Sequence, residues 1–341
     1  MFFSRQGRRT INLGLQGGGA HGAFTWGVLD YLLEDGRLEF EGVSGTSAGA
    51  MNAVILAHGL LDGGRDGARA ALHKFWDAVA EALPFDMALQ KADGQTVTLA
   101  PALKLWLHWT QYLAPHELNP FDLNPLRDIL LEQVDFERLR AHSPVKLFIA
   151  AANANSGKVR VFRGPEIGVD AILASACLPT VQRTVQIDGE PYWDGGYVAN
   201  PAVFPLFYEC AANDILLVLL TPLKHQGTPR SAEEIKNRIL ELGFNATFLR
   251  EMRMFAYMQK QAHASRLRIG YFERRMARAN FHIIEAEATL RELKPETKLA
   301  ASKWFFAMLR DLGRAQAQAW LQAHYADIGR NSTVDLAELF Y

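Results

Sequence analysis

The apolar positions of this chain change their period along its length, and each change marks out an element. Thr10 to Gln16 (TINLGLQ) is a short β-prone run ending in glycines, and Gly22 to Glu34 then spaces its apolar residues as a helix does. The unit repeats. Phe40 to Gly45 leads into a second glycine turn, and Ala48 to His58 (AGAMNAVILAH) is small, apolar and compatible with a helix. A polar loop from Asp62 to Gly67 precedes Ala68 to Leu83, whose Leu72, Phe75, Trp76 and Val79 share one helical face. Lys146 to Ala152 and Val159 to Arg163 read as strands, and the Ser-Gly centre of Asn155 to Lys158 between them suits a tight hairpin. Asp170 to Ala176 is a short helix candidate, and Val185 to Trp193 holds a small hairpin around Asp188-Gly189. Asp214 to Leu220 (DILLVLL) is the continuous apolar run that a strand buried on both faces requires. From Ser231 onward the pattern is almost wholly helical, opening with the capping-box spacing of Ser231 and Glu234 and including an amphipathic run from Leu299 to Tyr325.

Strands alternating with helices predict an α/β fold: a three-layer α/β/α domain around a mainly parallel central sheet, with a helical C-terminal extension. The expected division is a catalytic α/β domain over residues 1–225 and a helical region over residues 226–341 packed on the same domain. One stretch breaks the texture. From Val97 to Asn124 the residues Leu103, Leu105, Trp106, Leu107, Trp109, Tyr112 and Leu113 crowd together before a proline-broken segment, which reads as an insertion over the core. It suits the lining of an apolar pocket, a lipid interface or a plainly buried insertion.

With 341 residues and 49% hydrophobic content the chain can bury a large core. Its 36 Lys and Arg against 37 Asp and Glu leave no field to attract a polyanion, so nucleic acid is excluded as an expected partner. Cys177 and Cys210 lack the spacing of a zinc site or a disulfide scaffold, which favours a reducing, cytoplasmic setting. The first residues hold no signal-peptide apolar run, and the longest apolar stretches fall well short of the ~20 residues that span a bilayer. Any membrane contact is therefore expected to be peripheral. The run Arg266 to Arg278 carries five arginines among Tyr271, Phe272 and Met276; it suits anionic lipid, but more often such a run is a solvated helix face. The C-terminal helices also suit a cover over the active site or a homo-oligomer interface.

Three short motifs carry candidate chemistry. Gly17-Gly18-Gly19-Ala20-His21-Gly22 follows a strand and precedes a helix, with Glu39 and Glu41 about 20 residues on, so a dinucleotide loop, an oxyanion hole and a plain tight turn all fit it. Gly45-Thr46-Ser47-Ala48-Gly49 is a G-x-S-x-G nucleophile elbow in the expected setting, a strand end running straight into a helix of small residues. Gly45 and Gly49 relieve the crowding of such a turn, and the helix start favours a developing alkoxide on Ser47. Tyr192-Trp193-Asp194-Gly195-Gly196 ends a short aromatic strand on an acid, though an Asp-Gly pair is equally a common turn.

In this order and on this background, GGGAHG, GTSAG and DGG resemble the patatin-like phospholipase family. The likeness extends to Ala174-Ser175-Ala176-Cys177-Leu178-Pro179 and to YWDGGYVANPAVFPL, and it covers roughly Ile11 to Leu220. The resemblance implies a lipid acyl hydrolase acting on phospholipid or other lipid esters through a Ser/Asp dyad. Ser47 would be the nucleophile, Asp194 the base and later the acid, and the N–H groups of Gly17, Gly18 and Gly19 the oxyanion donors. No metal or organic cofactor is implied. The chain departs from the family at Gln16, where Asp is frequent, and at His21, where Arg or Lys is frequent; both bear on loop electrostatics and head-group preference. His225, just past the strand that follows Asp194, has the order and loop position of a triad histidine and is the alternative base. Other functions stay open at this point: a thioesterase or acyltransferase on the same site, a nucleotide-binding module using GGGAHG, or a non-catalytic scaffold.

Overall fold

The computed structural model describes residues 7–82, 89–92, 96–99, 114–224, 227–264, 270–286, 290, 293 and 295–341. Its strands are β1 (Arg9–Leu15), β2 (Leu38–Gly45), β3 (Leu89–Ala92), β4 (Thr96–Leu99), β5 (Lys146–Asn153), β6 (Val159–Arg163), β7 (Val185–Ile187), β8 (Glu190–Asp194), β9 (Asp214–Val218) and β10 (Asn280–Ile284). The main sheet runs in the order β10-β9-β1-β2-β5-β8-β7, with β6 also paired to β5. From β10 to β5 the pairings are parallel, and those of β5 with β6, β5 with β8 and β7 with β8 are antiparallel. The sheet is thus mainly parallel with an antiparallel end, as the alternating pattern predicts. β3 and β4 form a separate antiparallel pair. Leu103 to Leu113, with Trp106 and Trp109, lie outside the described residues.

Both faces of the sheet are covered, and β9 shows how. Its Leu216 and Val218, with Leu220 just beyond, enter one core, while Ile215, Leu217 and Leu219 enter the other, so the run that looked continuously apolar feeds two interiors at once. The first core also takes Ile11, Leu13 and Leu15 of β1 and the buried faces of Gly22–Asp35, Ala48–Ala82 and Lys303–His324. The second lies under Phe204–Glu209, Ala232–Ala264 and Leu336–Phe340, with Leu206, Phe248, Met252 and Phe255 inside it. Helices on both faces make the three layers.

Several local readings hold in detail. The hairpin between β7 and β8 turns on Asp188 and Gly189, both with positive φ (54° and 80°), as a two-residue turn of the primed kind needs. Ser231 Oγ accepts the Glu234 N–H at 3.1 Å and Glu234 returns a carboxylate to the Ser231 N–H at 3.0 Å, completing the capping box. Two readings change. The expected loop from Asp62 to Gly67 shrinks to a kink at Gly63 and Gly64 inside Ala48–Ala82. The stretch after Ser231 is not helical throughout, because Asn280–Ile284 joins the sheet as β10, parallel to β9. In the basic run ahead of it, Arg275 turns inward and donates to the carbonyl groups of Phe207, Cys210, Ala211 and Ala212 rather than facing outward; Arg266 and Arg268 lie outside the described residues. No helix among the described residues is long and apolar enough to cross a membrane.

The C-terminal part of the chain is fastened to the rest by backbone contact as well as by side chains. Gly22–Asp35 and Lys303–His324 cross where each has a glycine: a Cβ on Gly27 would overlap the Arg310 backbone, and one on Gly313 would overlap the Phe24 carbonyl. Such close approach leaves no room for a methyl group. Gly27→Val and Gly313→Val are each expected to lower the urea unfolding free energy by at least about 1–3 kcal/mol. Gly63→Ala, with nothing within 4 Å of the added carbon, should stay near wild type. Equal midpoints for all three would refute the close crossing.

Candidate active site

β2 delivers the chain to the elbow. Beyond Gly45 the backbone reverses so sharply that Ser47 adopts φ 55°, a left-handed value uncommon for a residue with a side chain. The helix starts at once: Gly49 N–H donates to Thr46 O at 2.8 Å, and Ala50 and Met51 N–H to Ser47 O at 2.9 and 3.1 Å. The Ser47 N–H, one of the orphan donors of a helix start, is met by the hydroxyl of Ser175 at 2.9 Å. Ser175 is fully buried in the Ala174-to-Pro179 run that the sequence singled out without giving this residue a task. A Cβ on Gly45 would overlap Gly49, and one on Gly49 would overlap the Leu15 carbonyl. Both glycines are therefore sterically required.

Register brings the acid to the same place. β2 pairs with β5 only as far as Gly45 opposite Ile149, and there it leaves the sheet. β6 occupies the other edge of β5, so β8 takes up the edge that β2 vacates, with Asp194 opposite Ala151. The two exit points are thus two residues apart on β5, roughly 7 Å. The Ser47 side chain comes close enough to the Asp194 carboxyl group to help stabilise its ionised form. Asp194 is 2% exposed, and it accepts the Gly196 N–H at 2.7 Å. Burial raises its pKa to about 6, against the opposing pull of the Gly196 N–H and the Ser47 hydroxyl.

The glycine loop closes the third side. Gly17 lies directly against the elbow: a Cβ there would stand 2.7 Å from Thr46 O and 2.8 Å from Ser47 Cβ. Its N–H is engaged, donating to Asn200 Oδ1 at 2.7 Å. Among the described residues the N–H groups of Gly18 and Gly19 have no acceptor. Gln16 Oε1 accepts the N–H groups of Leu220 and Thr221 at 2.6 and 2.9 Å, and its amide nitrogen reaches Asn200 O and Asn245 Oδ1, each at 3.4 Å. His21 is buried, with Nε2 2.8 Å from Thr297 Oγ1 and its ring edge-on to Phe305. Burial foremost, and the charge of Lys298 next, push its pKa down to about 3, so it is a neutral imidazole. His225, the alternative base, lies outside the described residues.

Residues far along the chain wall the site. Phe244 packs on Gly196 and its ring centroid is 4.5 Å from that of Tyr197, while the Lys298 carbonyl presses on Gly19. Asn245, Thr297 and Lys298 carried no signal in the sequence, since each meets its partner only across more than two hundred residues of chain. Among the described residues no cluster of three or more His, Cys, Asp or Glu is arranged to hold a metal ion.

The sequence profile of the family described as patatin-like phospholipase matches residues 13–207, a span that holds all three motifs. No curated protein matches the chain significantly. Among solved structures, VipD from Legionella pneumophila aligns over 92% of this chain and 67% of its own, at 17% identity and a TM-score of 0.44. The heterodimeric ExoU-SpcU complex from the type III secretion system of Pseudomonas aeruginosa aligns over 93% of this chain and 52% of that one, at 17% identity and a TM-score of 0.36. The chain thus spans about half of that second structure.

Removal of the Ser175 hydroxyl leaves the Ser47 N–H without its acceptor. Ser175→Ala is expected to cost about 1 kcal/mol of stability and to slow phosphonylation of Ser47 by a fluorophosphonate. Wild-type labelling kinetics in this variant would show that the hydroxyl does not hold the elbow.

Proposed function

The chain belongs to the patatin-like phospholipase family, and on that premise we propose that it cleaves acyl esters of phospholipids or related lipids through a Ser47 acyl-enzyme, with Asp194 as the base. Family membership supports a lipid acyl hydrolase in general. The observation that carries the finer reading is the meeting of a left-handed Ser47, at the start of a helix, with a buried Asp194 whose strand leaves the sheet beside it.

Ionised Asp194 accepts the Ser47 proton as Ser47 Oγ attacks the ester carbonyl, and the same carboxyl group then protonates the departing alcohol. Water deprotonated by Asp194 next attacks the acyl-enzyme, releasing the fatty acid and restoring Ser47. The charge on the carbonyl oxygen falls to the free N–H groups of Gly18 and Gly19. Gly17 belongs to the hole as the wall against Ser47, because its own N–H is engaged by Asn200. His225 is the base to test if Asp194 proves dispensable. The encounter with lipid is proposed as peripheral and cytoplasmic.

Purified wild type, Ser47→Ala and Asp194→Asn are to be compared in fluorophosphonate labelling and in fatty-acid release from phospholipids and short-chain esters. Ser47→Ala should lose labelling, and Asp194→Asn should lose about 10² to 10⁴-fold in rate. Because the base must be ionised, kcat/KM in wild type should rise with pH through a midpoint of about 6 and level off above it. Full activity of Asp194→Asn, or a flat profile across that range, would overturn the assignment.

A further inference from the structure

We infer that Asn200 is a positioning residue of this site, holding the Gly17 N–H away from the reacting atoms so that Gly18 and Gly19 alone serve as oxyanion donors. The inference rests on the acyl-hydrolase reading above.

Asn200 is 4% exposed, and its side-chain oxygen takes the Gly17 N–H at 2.7 Å, a short bond between two buried partners. Only the amide oxygen can accept an N–H, so the orientation of the side chain is fixed by this bond. The same residue's backbone carbonyl receives the Gln16 amide. Asn200 therefore grips the strand end and the first glycine of the loop together. It lies on the segment that starts with Asp194, and that segment is stitched to the elbow: Thr46 Oγ1 donates to Ala199 O at 2.8 Å and Ser44 Oγ to Ala202 O at 2.5 Å. Val198 and Ala199 N–H fold back on Gly195 O at 2.9 and 2.8 Å. A closed circuit results, from Ser47 to Asp194, along the chain to Asn200, through its side chain to Gly17, and by contact back to Ser47.

This circuit has a chemical consequence. Gly17 is packed against Ser47, and a free donor at that point would bond to the serine oxygen before attack, stabilising the ground state as much as the transition state. Useful donors meet the charge where it develops, on the carbonyl oxygen. With Gly17 occupied, the free N–H groups begin one residue further on. Loss of the Asn200 acceptor would release Gly17 and let the two remaining donors drift, and a misplacement of about 1 Å costs up to about 10²-fold in rate.

The test compares wild type, Asn200→Ala, Asn200→Asp and Ser44→Ala on a soluble short-chain ester, with hydrogen–deuterium exchange followed in the peptide that carries Gly17 to His21. Asn200→Ala should accelerate exchange in that peptide and lower kcat by about 10- to 100-fold with KM unchanged. Asn200→Asp retains an acceptor, so exchange should stay slow while the added negative charge opposes the oxyanion and lowers kcat. Ser44→Ala loosens the same segment without touching the glycine loop and should stay within a few-fold of wild type in both measurements. The inference is overturned if Asn200→Ala matches wild type in exchange or in kcat, or if Ser44→Ala reproduces its losses, since the segment's packing would then suffice. A wild type that hydrolyses and labels with nothing would sink the acyl-hydrolase reading instead, and the exchange experiment would still decide whether Asn200 clamps the loop.

Discussion

The absence of side chains at a few points around Ser47 is the constraint from which the rest of the site follows. A left-handed Ser47 requires β2 to end, turn and become a helix within a few residues, and that turn lies against the end of β1 and the glycine loop. Nothing larger than hydrogen fits at Gly17, Gly45 or Gly49, because in each case a Cβ would meet backbone of a neighbouring element. The early exit of β2 also frees the edge of β5 that β8 then occupies, so the left-handed turn at Ser47 and the placement of Asp194 have one origin. A straighter β2 would keep Asp194 off that edge altogether.

The site is finished by parts of the chain outside residues 13–207. Ala232–Ala264 contributes Phe244 to the wall beside Gly196 and Asn245 to the Gln16 amide, and it is itself anchored where Glu251 accepts the N–H groups of Val203 and Phe204 at 2.9 and 2.5 Å. Those N–H groups open the helix that follows Asn200, so the Glu251 side-chain oxygen satisfies helix-start donors. Pro295–Leu299 lies over Gly19 and His21. Lys298 from this segment sets a positive charge beside His21 of the glycine loop. The C-terminal region is part of the wall of the candidate site as well as a face of the fold.

What the sequence disclosed and what it hid divide along physical lines. Glycines and turn pairs report local backbone needs, so the elbow, the Asp188-Gly189 hairpin and the capping box at Ser231 were legible from neighbours alone. β9 was legible because burial on both faces leaves no polar position from Ile215 to Val218. β10 was not: NFHII is five residues long, begins with Asn, carries a buried His282 that bonds to Asp214 at 3.0 Å, and follows a basic helix with no turn signal between. Ser175 and Asn200 lay inside stretches already singled out, yet their tasks depend on contacts with residues 128 and 183 positions away, which no local pattern encodes.

The proposed two-residue mechanism places an unusual demand on its base, and the composition around Asp194 suits it. An aspartate near its ordinary value of about 4 holds a proton too weakly to draw one from serine at neutral pH. Burial lifts Asp194 to about 6, and a cation nearby would undo that gain by favouring the ionised form. The side chains that lace the site are accordingly amides and hydroxyls: Gln16, Thr46, Ser175, Asn200 and Asn245. His21, which could carry a charge, is held neutral. In the proposed reaction the positive potential would come from oriented N–H groups at the helix start and in the glycine loop, which would act on the oxyanion without neutralising the base. Uncharged lacing around Asp194 and its raised pKa thus go together, and both suit the role of base proposed for it.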